Sequence, residues 1–113
     1  MTPNQIKDNV VKYLQEKKAE DITIINVTDQ TTIADYFVIV SGKSTTQVKA
    51  LTEFLEEKME ENEIFATRKE GEREARWVVL DYASVIVHIF NDSMRDFYNL
   101  EKLWGNTSNI TKI

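Results

Sequence analysis

Three groups of residues in this chain have types and spacings that could do chemistry. The first is Gly42-Lys43-Ser44, which follows the apolar run Tyr36-Phe37-Val38-Ile39-Val40 and precedes a helical pattern, the setting of a phosphate-binding loop. Val78-Val79-Leu80-Asp81 has the form of an apolar strand ending in a magnesium-binding Asp. The loop pattern, however, needs a glycine five residues before Gly42, and that position is Phe37. No glycine-rich arc of N–H groups is then available to wrap phosphates. The simpler reading is a strand-to-helix turn capped by Ser44.

The second group is His88 with Asp81, which flank a tight turn at Ala83-Ser84. As cross-strand neighbours they would form the Asp–His pair that orients a general base. A hydrolase also needs a nucleophile and an oxyanion hole. Ser84 falls in the turn, and no second glycine marks a pair of donors. His88 alternates with Ile86 and Phe90, while Val85, Val87 and Ile89 take the other face, so a hydrogen-bonded structural or interface histidine is the expectation. It is the only His and there is no Cys, a poor nucleus for a metal site. No catalytic residue, metal ligand or cofactor is expected.

The third group is aromatic: Trp77, Tyr82, Phe97, Tyr98 and Trp104. Five such rings are too many for the core of one small domain. Tyr and Trp bury much area while keeping a polar tip, which suits protein–protein contacts. At least Trp77 or Trp104 is expected to be partly exposed for a partner. Arg68, Lys69, Arg73 and Arg76 nearby could grip acidic groups, while the interspersed Glu70, Glu72 and Glu74 argue against an RNA groove.

The elements that must position these residues read as follows. Ile6, Val10, Tyr13, Leu14 and Lys17 recur at helical spacing, opened by Thr2-Pro3 or Asn4. Asp21 to Val27 alternates as a strand, and Asp29-Gln30-Thr31-Thr32 is a turn cluster. The run from Tyr36 to Val40 predicts a strand buried on both faces. Ser44 with Gln47 forms a capping-box pattern, after which Val48, Leu51, Phe54, Leu55, Lys58 and Met59 mark one helical face. Glu53, Glu56, Glu57, Glu60 and Glu61 form the solvated face. Ile64 to Arg68 reads as a short strand, and the charged stretch from Lys69 to Glu74 as a loop. Two strands and a terminal helix follow. The order α-β-β-α-β-β-β-α predicts a mixed sheet with flanking helices, the middle helix making a crossover.

Bulk properties set limits on partners. A chain of 113 residues is expected to be one domain that needs neither disulfide nor metal to fold. The net charge of −5 disfavours sequence-independent phosphate-backbone binding and favours basic proteins. No direct sequence-specific nucleic-acid contact and no membrane partner are expected. The absence of Cys fits a reducing compartment. No apolar run approaches the ~20 residues of a membrane span. The N-terminal stretch opens no signal-peptide core, so a cytoplasmic protein is expected.

Taken in order and spacing, several of these pieces resemble ribosomal silencing factors of the RsfS (Iojap-like) family. The carriers are Ala34-Asp35-Tyr36-Phe37-Val38-Ile39 with Ser41-Gly42-Lys43-Ser44, then Glu70-Gly71, Trp77-Val78-Val79-Leu80-Asp81-Tyr82, Val87-His88-Ile89-Phe90, and the stretch from Arg95 to Trp104. The resemblance runs from about Asp21 to Trp104 within a single domain taken as 1–113. It implies an α/β fold with a mixed, mostly five-stranded sheet and a nucleotidyltransferase-like topology without the catalytic carboxylates. After Ser44 the next carboxylate is Glu53, and no Asp-x-Asp pair occurs.

The resemblance also implies that the protein is no enzyme. It would bind the large ribosomal subunit through that subunit's protein number fourteen and block joining of the small subunit, repressing translation when nutrients are scarce. A homodimer is implied for the free protein. The expected contact residues are Trp77, Val79 and Asp81 from the sheet and Tyr98, Leu100 and Trp104 from the tail, with Arg68 beside them. Two departures stand out: Ala83-Ser84 stands where the family commonly has Gly-Asp, and Arg76 where it often has Gly before the tryptophan. Two other readings stay open, a magnesium- and nucleotide-dependent enzyme using Lys43, Ser44 and Asp81, and a homodimeric adaptor without a ribosomal role.

Overall fold

The apolar run at Tyr36–Gly42 becomes the centre of a sheet, buried along all but its first residue. The computed structural model describes residues 1–106 and 108–113, with the side chain of Phe97 outside the description. Its strands in chain order are β1 (Glu20–Asn26), β2 (Tyr36–Gly42), β3 (Arg68–Glu70), β4 (Trp77–Asp81), β5 (Val85–Asn91) and β6 (Ile110–Lys112). Helices α1 (Pro3–Glu16) and α2 (Thr45–Glu61) accompany them, followed after β5 by the short α3 (Asp92–Tyr98) and α4 (Leu100–Trp104). The sheet is six-stranded in the order β3-β4-β5-β2-β1-β6. Among the described residues, β2 and β5 run parallel and the other pairings are antiparallel. Parallel neighbours require a crossover connection, and α2 lies in it.

Local sequence explains the helix starts. Thr2 and Gln5 form a reciprocal capping box ahead of Pro3. At α2, Ser44 Oγ accepts from Gln47 N at 3.1 Å, but Gln47 Oε1 accepts from Lys43 N rather than from the cap residue itself. One face of the sheet carries Val38, Val40, Val85, Val87 and Ile89 against Val10 and Leu14 of α1 and Val48, Leu51 and Leu55 of α2. The other face carries Phe37, Ile39 and Phe90, with Leu100, Met94 and Trp104 of the tail packed over them. Alternation along β2 and β5 sends successive side chains to these two cores.

Three elements depart from the expected order. The third strand is Arg68–Glu70 rather than Ile64 to Arg68, because Ile64 N is used to close the end of α2 on Met59 O, while Arg68, Lys69 and Glu70 find partners in Asp81, Leu80 and Val79. The terminal helix is broken in two at Asn99, which adopts φ 44°, ψ 55°. Its N–H closes α3 on Arg95 O, and its side chain accepts from Lys102 N to open α4. Asn tolerates this left-handed conformation better than most residues. A sixth strand, β6, pairs with the outer edge of β1, and Asn109 secures its entry through Asn26 O and Trp104 O.

Arg95 joins the tail to the sheet. Its guanidinium, almost fully buried, donates to Asp21 O, Ser41 Oγ and Thr23 Oγ1 at 2.6–2.9 Å and to both carboxylate oxygens of Glu101. Among the described residues, no helix is long and apolar enough to cross a membrane.

Candidate functional site

Strand β4 presents Trp77, Val79 and Asp81 on the tail side of the sheet, each half-buried, while Val78 and Leu80 are sealed against the helices. Trp77 is the hinge between sheet and tail. Its ring stacks on Phe90 with centroids 5.2 Å apart and meets Tyr98 of α3 at 4.4 Å. Its indole N–H donates to His88 Nδ1 at 3.1 Å. Further along, Trp104 of α4 meets Phe37 edge-on at 5.2 Å, and Phe37 in turn meets His88 at 5.3 Å. Tyr98 remains 38% exposed and Trp104 half-exposed, so this aromatic layer reaches the surface.

Beside Trp77 the tail stops short and leaves an open groove of about 350 Å³. Its apolar lining is Ile33, Phe37, Val79 and Ile86, with His88 among them and Arg68, Glu70 and Asp81 at the rim. Ile33 is 64% exposed. A single apolar residue in a polar turn cluster was the signal for it, although its destination depends on how the loop before β2 folds over the sheet. On the other side of Trp77, a cleft of about 180 Å³ is bounded by Gly71, Arg76 and Tyr98. Gly71 has φ +80°, and a Cβ there would lie 2.0 Å from Trp77 O, so only glycine lets the loop pass this close to the strand.

Of the residues named from sequence, Arg68, Val79 and Asp81 share the groove, while Trp77 and Tyr98 meet each other at the cleft beyond it. Trp104 lies over Phe37, the groove residue at the tail side. Leu100 is different. It is 9% exposed and belongs to the core beneath α4, so it supports the tail from below rather than presenting a contact. Tyr82 also parts from the aromatic group. It is buried on the opposite face, where burial, with Glu56 and Glu60 adding to it, raises its phenol well above the ordinary range. Phe97's side chain lies outside the described residues.

Two of the four basic residues singled out from sequence are engaged within the molecule: Arg68 is ion-paired with Glu70, and Lys69 with Glu56 at 2.9 Å. Asp81 does not orient His88. The register sets Asp81 opposite Ile86 and His88 opposite Val79, while Asp81 Oδ1 accepts from Ala83 N at 2.8 Å. That contact holds the β4–β5 turn, in which Ala83 has φ 68°, a conformation that glycine adopts without strain.

Lys43, Ser44 and Asp81 do not converge. Gly42 pairs with Asn91 at one end of β5 and Asp81 with Ile86 near the other, roughly 17 Å apart along the strand at ~3.4 Å per residue. The N–H of Lys43 is taken by Gln47, and its ammonium lies 3.5 Å from Glu20. Among the described residues, no three or more His, Cys, Asp or Glu are grouped so as to hold a metal ion.

Comparison with known proteins gives a consistent picture. The family model described as "Ribosomal silencing factor during starvation" matches residues 1–113. The ribosomal silencing factor RsfS of Bacillus subtilis is 43% identical over 91 residues, covering 80% of this chain and 77% of its own. A Mus musculus protein named for mitochondrial assembly of the ribosomal large subunit is 32% identical over 100 residues, covering 86% of this chain and 44% of its own. A crystal structure of a Chromobacterium violaceum protein superposes with a TM-score of 0.90 at 28% identity, covering 96% of this chain and 92% of that one.

Proposed function

The chain belongs to the family of ribosomal silencing factors, and on that premise we propose that it represses translation by occupying the large ribosomal subunit. The contact is made through that subunit's protein number fourteen, and the bound protein excludes the small subunit by its volume. Members of the family are named as silencing factors and not as enzymes, and the mechanism needs no chemical step. The family's name ties the repression to starvation. The name of the Mus musculus relative ties that protein to the large subunit.

The observation that carries the reading is the half-exposed aromatic layer of Trp77 and Tyr98 beside an apolar groove on the face the long helices leave open. Arg68, Val79, Asp81 and Trp104 complete the proposed contact. A standard interface of ~1,600 Å² suffices for specific association, and the net charge of −5 suits a basic ribosomal protein. When free of the ribosome, two copies are proposed to associate, covering the exposed Leu103.

Co-sedimentation with isolated large subunits, small subunits and joined ribosomes tests this. The expected result is migration with large subunits and a loss of joined ribosomes. Trp77→Ala should weaken large-subunit binding by about 2 kcal/mol or more, as truncated aromatic hot spots do. Full binding by a folded Trp77→Ala protein would remove Trp77 from the interface. Failure of the wild type to migrate with any ribosomal fraction would sink the reading.

A further inference from the structure

We infer that His88 is a recognition residue, its Nε2–H donating to a main-chain carbonyl of a basic protein segment whose apolar side chain fills the neighbouring groove. This inference rests on the reading above and names the chemistry of the segment that docks.

The tautomer follows from geometry. Indole Nε1–H can only donate, so His88 Nδ1, 3.1 Å from it, must present a lone pair. The proton of the neutral ring is then on Nε2. Burial favours that neutral form, lowering the ring's pKa to about 4. The two nitrogens flank Cε1 and point in widely diverging directions, so an Nδ1 turned to Trp77 turns Nε2 away from it, and His88 is among the residues that line the groove. Among the described residues, Nε2 has no hydrogen-bond partner although it is buried. Buried donors nearly always find acceptors; Nε2 is itself sealed from solvent, so an acceptor from outside reaches it only as the lining side chains of the groove part around the occupant.

The surroundings define the occupant. Ile33, Phe37, Val79 and Ile86 supply apolar walls for a side chain. At the rim Arg68 is already paired with Glu70, and Asp81 adds a second carboxylate, so the mouth is net negative. An acidic group would satisfy Nε2–H but would be repelled by Asp81 and Glu70. A neutral carbonyl flanked by Lys or Arg meets both demands. The groove is also continuous with the Trp77–Tyr98 contact through the indole–imidazole bond itself. His88 thereby couples the two halves of one surface, orienting Trp77 with one nitrogen and reading the partner with the other.

The chain has a single His, so selective isotope labelling gives one unambiguous imidazole signal set. Purified large-subunit protein number fourteen is titrated into the labelled protein and followed by NMR. The expected result is a shifted Nε2–H signal whose exchange with water slows at least tenfold on binding. Backbone signals that report binding while the ring signal stays unmoved would overturn this inference alone. No binding at all would overturn the proposed function with it. A ring signal that moves on concentrating the free protein, and not with the partner, would assign the groove to a second copy and overturn the proposal.

His88→Asn offers an independent arm. The Asn carboxamide oxygen replaces Nδ1 as acceptor for Trp77, but nothing replaces the Nε2 donor. Affinity should fall about tenfold, the loss expected for one buried hydrogen bond, with the Trp77 indole N–H signal preserved. Undiminished affinity would overturn the proposal. Should the variant not fold, the wild-type titration decides.

Discussion

The neutral state of the imidazole also governs how the molecule answers to acid. His88 is held at about 4, below its ordinary 6.5, by burial. Between those values the unfolded chain binds a proton that the native chain refuses. Stability from this group is therefore complete above about pH 6.5, declines as the pH falls, and levels off below about pH 4. At ~1.36 kcal/mol per unit the total loss is of order 3 kcal/mol. Thermal melts of wild type and His88→Asn between neutral pH and pH 4.5 check this; the wild type should lose more stability over that range. Parallel curves would show that His88 is not the responsible group. The alternation of His88 with Ile86 and Phe90 was readable from sequence. Its partner was not, because Asp81 seemed the obvious neighbour. The register pairs His88 with Val79 instead, leaving Trp77 one pleat away to take the nitrogen.

At the level of elements, local signals were legible wherever a segment's own residues set its state. The helix start at Thr2-Pro3, the cap at Ser44 and the doubly buried β2 belong to this class. What could not be read depends on distant partners. Strand β6 has only three residues and gains its order from β1 and from Asn109. The groove is likewise assembled from a loop, four strands and a gap left by the tail, with no motif of its own. The break at Asn99 is intermediate: the Asn was visible, but nothing local required it to turn. It allows α4 to fold back so that Glu101 reaches Arg95.

Arg95 makes that packing an energetic unit. Arg95→Ala would leave Glu101, Thr23 and Ser41 without their donor and should destabilise the protein by about 3 kcal/mol in urea unfolding, as broken buried pairs do. Arg95→Lys should restore only part of this, since an ammonium cannot reproduce the planar fork. A loss under ~1 kcal/mol for the Ala variant would mean the tail docks by its apolar contacts alone.

Taken as a whole, the molecule is an acidic body with two unequal faces. One is closed by α1 and α2 over a continuous aliphatic core, and the other is half-covered by α3 and α4. The proposed contact residues gather on the half-covered side. An overall charge of −5 adds a field that reaches beyond that side. Association with a basic ribosomal protein should therefore be fast at low salt and slow by about tenfold or more as salt rises, while dissociation changes little. Rapid-mixing measurements across a salt series separate the two rates. An association rate indifferent to salt would mean that shape alone guides the encounter.

The bond from Arg95 to the backbone of Asp21 bridges 74 residues of sequence. During synthesis the sheet strands up to β5 leave the ribosome before this arginine does. Trp77 is thus made early, yet it acquires Tyr98 only after the later segment has folded back and locked. A nascent or truncated product carries the anchor without its frame. In effect, a chain cut before Arg95 would carry Trp77 without the Tyr98 ring that packs on it or the bonds that fix the tail to the sheet.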